Sequence, residues 1–162
     1  MPVVAVSPDA PRATPRRHHR RVRAVVQVAS DAEVVVDGVV VARLDSPGLV
    51  VLVGVTHTDT PASADALAEK VWQLRVLPGE VSAATAGAPV LVVSQFTLYA
   101  DLSRGRRPSW SPAAPREVAG PLVDAVVAGL RRRGAAVATG VFGATMTLRL
   151  ANEGPVTLVV EV

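Results

Sequence analysis

The chain has 162 residues, 49% of them apolar but only 3% aromatic, and it contains no cysteine. That length suits one domain with a proper core, the missing cysteines exclude a disulfide framework and thiolate metal sites, and no apolar run reaches the roughly 18 residues of a membrane span. The formal charge of +3 is a property of residues 1–22, where Arg12, Arg16, Arg17, Arg20 and Arg21 face Asp9 alone; of the 17 basic and 14 acidic residues, 12 and 13 remain from Arg23 onward. Nucleic-acid binding therefore has to rest on local clusters such as Arg104-Arg106-Arg107 and Arg131-Arg132-Arg133, not on bulk charge.

Residues 1–22 combine four prolines with the run Arg16-Arg17-His18-His19-Arg20-Arg21 and have no apolar periodicity, which predicts a disordered basic tail. A solvated tail, or residues upstream of the true start codon, outweighs an arm that grips RNA phosphate, because charge runs are weak signals. Val3 to Val6 is too short for the apolar core of a signal peptide, so a soluble cytoplasmic protein is expected. A single domain is expected over residues 23–162.

From Arg23 the pattern is regular. Arg23 to Ser30 and Glu33 to Val36 read as strands, and Asp37-Gly38 as a hairpin turn into Val39 to Leu44. After the Ser46-Pro47-Gly48 turn comes an all-apolar strand, Leu49 to Val55. Thr60-Pro61 caps a helix whose apolar face is Ala64, Leu67, Ala68, Val71 and Trp72. Val76 to Gly87 is turn-rich, and Pro89 to Gln95 is the central strand. A second helix lies within Ala114 to Arg133, with Pro121 either in its first turn or kinking it. Strands follow at Ala136 to Thr139, Thr145 to Ala151 and Val156 to Val162. The prediction is an α+β fold: a largely antiparallel or mixed sheet of about seven strands with two packed helices.

Conventional catalytic apparatus is thin. His57 with Asp59 offers two metal ligands where three or four are needed, nothing in the sequence brings His57 to Ser94 or Thr97 as a base, and Gly140 to Gly143 lacks the lysine and spacing of a phosphate loop. No cofactor and no metal are expected. Attention falls on Ser94-Gln95-Phe96-Thr97-Leu98-Tyr99-Ala100-Asp101, where polar groups end the apolar run Val90 to Val93. A bland account makes this a strand end with Asp101 as a cap, Phe96 in the core, and Gln95 and Thr97 on the wet face. A functional account uses free backbone N–H groups around Gln95 and Phe96 to stabilise an oxyanion. Thr97 then positions the substrate and water attacks, since a threonine hydroxyl is a weak nucleophile without an adjacent base.

A second segment, Asn152-Glu153-Gly154-Pro155-Val156-Thr157, places a proline between strand-like runs, where it demands an edge, a bulge or a turn. Together the two segments resemble the motifs of the D-aminoacyl-tRNA deacylases, and the likeness runs from about Arg23 to Val162. Gly105-Arg106-Arg107-Pro108-Ser109 and Thr139 to Ala144 extend it, and Val22 stands where chains of that family commonly begin. The resemblance implies hydrolysis of the ester between a D-amino acid, or glycine, and the terminal ribose of tRNA. It implies a pocket lined by Ser94 to Thr97, with Gln95, Phe96 and Thr97 catalytic, and Ser94, Met146 and Asn152 binding substrate. It also implies a homodimer, in which a cis Gly154-Pro155 peptide enters the partner's pocket and excludes L side chains. Three positions depart from the family pattern: Val28 replaces an arginine that helps hold the cis loop, Thr145 replaces an aspartate, and Val76 to Ala88 is shortened. A non-catalytic nucleic-acid-binding protein is the alternative reading, since relatives of the fold are linked to DNA replication and the tail is basic.

Overall fold

The computed structural model describes residues 21–162, and the expected disordered tail lies almost wholly outside them. Among the described residues there are eight strands and three helices. Five strands form the path β2-β1-β3-β6-β7, with β8 pairing β1 from the side. The fold is α+β with a mixed sheet. β1 (Arg23–Val36), β2 (Val39–Arg43), β3 (Gly48–Gly54) and β8 (Thr147–Glu161) pair antiparallel, whereas β3, β6 (Val90–Ser94) and β7 (Val137–Thr139) run parallel.

Local chemistry explains most of the elements. Asp37 and Gly38 have φ of 49° and 80°, the left-handed pair that a tight hairpin between β1 and β2 requires. Thr60 caps α1 (Pro61–Gln73): its hydroxyl accepts from the Ser63 N–H, and Ser63 Oγ accepts from the Thr60 N–H, both at 3.3 Å. Pro121 falls in the second turn of α3 (Arg116–Arg132), and the helix continues beyond it. The turn-rich stretch after α1 holds a small hairpin, β4 (Arg75–Leu77) and β5 (Val81–Ser82), and a single-turn helix α2 (Ala83–Ala86). Val22, just ahead of β1, is fully buried, and its carbonyl accepts from the Val162 N–H.

Two pairs of expected strands are each one continuous strand. β1 runs through Ser30 and Asp31, where its register against β8 slips. A one-residue slip exchanges the faces of a strand. Val22, Ala24, Val26 and Val28 accordingly pack beneath α1 and α3, while Ala29, Ala32 and Val34 join a second core on the opposite face. β3, sandwiched between the two cores, needs no polar side chain. β8 likewise spans the expected break, and between the pairs Ala29↔Asn152 and Gln27↔Thr157 its residues Glu153 to Val156 face only Val28. The proline is accommodated in this excursion, where no ladder hydrogen bond is asked of it.

Candidate active site at the ends of the parallel strands

Parallel strands present their carboxyl ends together, and that edge is where such sheets hold ligands. Here β6 ends at Ser94, paired with Val53 of β3, and the chain turns at once into a 3₁₀ turn, Phe96–Tyr99. A cavity of about 80 Å³ opens beneath it, walled by Val53 and Val55, by Ala119 and Val123 of α3, and by Phe142 from the loop after β7. Its polar rim is Ser94 and Gln95.

The donors at this rim divide into spent and free. The Gln95 N–H, expected to be free, donates to the Val53 carbonyl at 2.7 Å and continues the sheet. The N–H groups of Phe96 and Thr97 open the 3₁₀ turn, where no preceding carbonyl lies in reach, and neither has a hydrogen-bond partner among the described residues. Gln95 Nε2 donates to Thr97 Oγ1. An amide N–H can donate but cannot take a proton, so this contact orients the threonine hydroxyl without activating it.

Phe96 is not in the core. It is 55% exposed and meets Trp110 edge to face, with ring centroids 5.4 Å apart. Trp110 follows a loop closed by paired backbone bonds between Asp101 and Ser109, 2.8 and 3.0 Å long, and that loop carries Arg104, Arg106 and Arg107, all exposed. Asp101 does act as a cap, accepting from the Ser103 N–H at 2.9 Å. Of five aromatic residues in the chain, Phe96, Tyr99, Trp110 and Phe142 gather at this edge. Their scarcity is the signal in the sequence that could have added Trp110 and Phe142 to the site.

The second segment lies elsewhere in the chain. The Gly154–Pro155 peptide is cis, and the excursion that carries it borders a groove of about 450 Å³ with Val28, Pro47 and Val76 to Pro78. Asn152 is exposed at its neck, its amide donating to the carbonyls of Val28 and Val156. Ala29 links Gly48 on one side to Asn152 on the other, whereas Ser94 pairs with Val53. The two segments thus stand at opposite ends of β3, five residues apart, or roughly 17 Å at the rise of a strand. Met146 is also apart from the cavity, half-buried against the second core beside Gly140.

A family model described as D-Tyr-tRNA(Tyr) deacylase matches residues 25–161. The chain belongs to the D-aminoacyl-tRNA deacylase family. It is 64% identical over 140 residues to a D-aminoacyl-tRNA deacylase of Acidothermus cellulolyticus, covering 86% of this chain and 99% of that one. Identity to the Thermobifida fusca protein of the same name is 61%, with the same coverage. Among solved structures, one described as a c-Myc DNA unwinding element binding protein superposes with a TM-score of 0.80 at 32% identity, covering 86% of this chain and 98% of that one. A probable eukaryotic D-amino acid tRNA deacylase shares the fold, with a TM-score of 0.76 at 17% identity over 87% of this chain and 99% of its own.

In this deacylase-family chain, Val28 offers no side-chain hydrogen bond to the Gly154-Pro155 excursion, and Asn152 supplies the tether by binding the Val28 backbone. Thr145, in the aspartate's place, is exposed. His57 and Asp59 do not converge: His57 Nε2 lies 3.2 Å from the Ser111 carbonyl, while the Asp59 carboxylate accepts from the N–H and hydroxyl of Thr56 at 2.7 and 3.1 Å. Among the described residues no group of three or more His, Asp or Glu is placed to hold a metal ion, and no helix is long and apolar enough to cross a membrane.

Proposed function

We propose that this chain hydrolyses the ester linking a D-amino acid to the terminal ribose of tRNA, accepts glycyl-tRNA as well, and works as a homodimer without a cofactor. In this reading each subunit inserts its Glu153–Val156 excursion beside the Ser94–Thr97 site of the other and so excludes L-aminoacyl-tRNA. The observation that carries it is the separation of the two motifs along β3, which no single chain closes. Only a second copy brings them to one substrate. The outer edge of β8, unpaired among the described residues and bearing exposed Leu158 and Val159, supports association of that kind.

The chemistry follows from the donors. In this reading the Phe96 and Thr97 N–H groups, without partners among the described residues, serve the ester carbonyl as it develops negative charge, and preorganised backbone donors are an effective way to stabilise it. Among the described residues Thr97 has no base hydrogen-bonded to it, so in this reading a water molecule attacks and Thr97 orients the ester. The cavity has no room for a large side chain, so the substrate's side chain points outward and the amino acid's identity matters little. Ser94 and Gln95 line that rim; Met146 and Asn152 contribute through the fold and through the excursion.

The test is incubation of the protein with D-aminoacyl-, L-aminoacyl- and glycyl-tRNA in the presence of a chelator, with its mass measured by light scattering. Hydrolysis of the D and glycyl esters by a dimer is expected; hydrolysis of all three alike, or by a monomer, overturns the cross-subunit filter. A second reading, nucleic-acid binding without catalysis, draws on the likeness to the DNA unwinding element binding protein and on the exposed arginines of the 101–109 loop. It prevails if the protein binds nucleic acid and cleaves none of the three esters.

A further inference from the structure

We propose that Arg23, seated against Gly54, is the positioning residue that holds the Phe96–Tyr99 turn in hydrolytic geometry; the inference rests on the ester-hydrolase reading of that turn. Arg23 and Gly54 are partners across β1 and β3, directly under the turn. Arg23 Nη1 donates to the Leu98 carbonyl at 2.7 Å, and its guanidinium stacks on the Tyr99 ring, 4.7 Å from the centroid. Nε donates to Glu161 Oε1 at 2.6 Å, and Glu161 is the residue paired with Arg23 on β8. The planar guanidinium thus has its two outward directions assigned, one to the turn and one to the sheet.

The turn needs such a hold. Four residues of 3₁₀ helix leave their last carbonyls without helical partners, and a cation at that end satisfies one of them and complements the local dipole. Phe96 faces solvent and contributes no core anchor. On the other side the turn rests on bare backbone: a Cβ at Gly54 would lie 2.9 Å from the Gln95 carbonyl oxygen, 3.0 Å from Leu98 Cβ and 3.2 Å from Tyr99 Cδ2. The glycine lets the turn sit down and the arginine keeps it there. The positions of the Phe96 and Thr97 N–H groups follow from this seat, because they begin the same turn. Arg23 touches neither donor and acts through the backbone. Its ion pair is partly exposed on both sides, so it adds little to global stability.

The experiment compares Arg23→Met, which keeps the aliphatic stem, with Arg23→Lys and Glu161→Gln, all as full chains. Arg23→Met should lower kcat for D-aminoacyl-tRNA by roughly tenfold to a hundredfold, the scale of a small misplacement of catalytic groups. KM and the preference for D over L should stay within about twofold, since binding and chirality are set elsewhere. Arg23→Lys, whose ammonium can still reach the Leu98 carbonyl, should recover most of the rate, and Glu161→Gln should fall between it and wild type. Amide hydrogen exchange of residues 96–100 gives a readout without substrate: faster in Arg23→Met, restored in Arg23→Lys. Unchanged exchange, or wild-type kcat in Arg23→Met, or a rate loss matched by loss of folded protein, overturns the proposal. An inactive wild type overturns the hydrolase reading instead, and the exchange data still decide whether Arg23 holds the turn.

Discussion

The side-chain amide of Asn152 donates to the Val28 carbonyl at 2.9 Å and to the Val156 carbonyl at 3.0 Å, closing the neck of the Glu153–Val156 excursion. One amide NH₂ therefore joins the excursion's two ends to the strand it leaves. Asn152→Ala removes two hydrogen bonds, each worth about 0.5–1.5 kcal/mol net. We expect the melting temperature to fall by a few degrees and discrimination between D- and L-aminoacyl-tRNA to fall much further, read by parallel deacylation assays. Asn152→Asp should be worse than alanine, because it turns acceptors toward two carbonyls.

Apart from its two neighbours in sequence, no described residue has an atom within 4 Å of where a Cβ on Gly154 would stand. Gly154→Ala should therefore leave folding and melting temperature unchanged. If the excursion enters a partner's site, the added methyl meets the substrate or the partner there, and turnover should drop by at least about tenfold, or about 1.4 kcal/mol of barrier. Wild-type rate and selectivity in a folded Gly154→Ala dimer would remove the excursion from the site.

Thr97 is bound by the Gln95 amide, and no other hydrogen bond to its hydroxyl is found among the described residues. Thr97→Ser should be nearly neutral, and Thr97→Ala should retain measurable turnover, losing the orienting effect of one hydrogen bond, about 0.5–1.5 kcal/mol. Rapid-quench mass spectrometry should find no acyl-enzyme; an ester trapped on Thr97 would establish covalent catalysis.

Asp65 on α1 accepts from Arg132, the last residue of α3, at 2.8 Å and from Arg133, which caps that helix, at 2.8 and 2.9 Å. Arg133, and after it Arg132, hold its carboxyl at about 2, below the ordinary 3.8. A lowered folded-state pKa means stability that is present above the ordinary value and lost as pH falls from about 4 toward about 2. Asp65→Asn should melt below wild type at pH 7, and the gap should close across that interval in a series of thermal melts. Salt should narrow the gap at pH 7, since the pair is exposed to screening.

Much of the fold was legible because it is encoded locally. Asp37-Gly38 has the residues that tolerate left-handed φ, Thr60-Pro61 marks where a helix starts, and the apolar stripe of α1 states which face is buried. The two segments stood out as polar residues at a strand end and a proline where a ladder should run, and the family resemblance was what joined them into one site. What only the tertiary structure decided depends on partners far along the chain. Whether the Gln95 N–H is free rests on where the Val53 carbonyl falls, and Phe96 meets Trp110 instead of the core because the 101–109 loop brings that residue back beside it. Arg23 reaches Leu98 across 75 positions of sequence and Asn152 reaches Val28 across 124. Strand register sets all of these contacts. Register also decided that Val22 belongs to the core, that β1 and β8 each run unbroken, and that the two motifs lie at opposite ends of β3. A strand's own residues specify which side chains alternate but not which neighbour they meet, and that pairing is settled only when both cores close around the sheet.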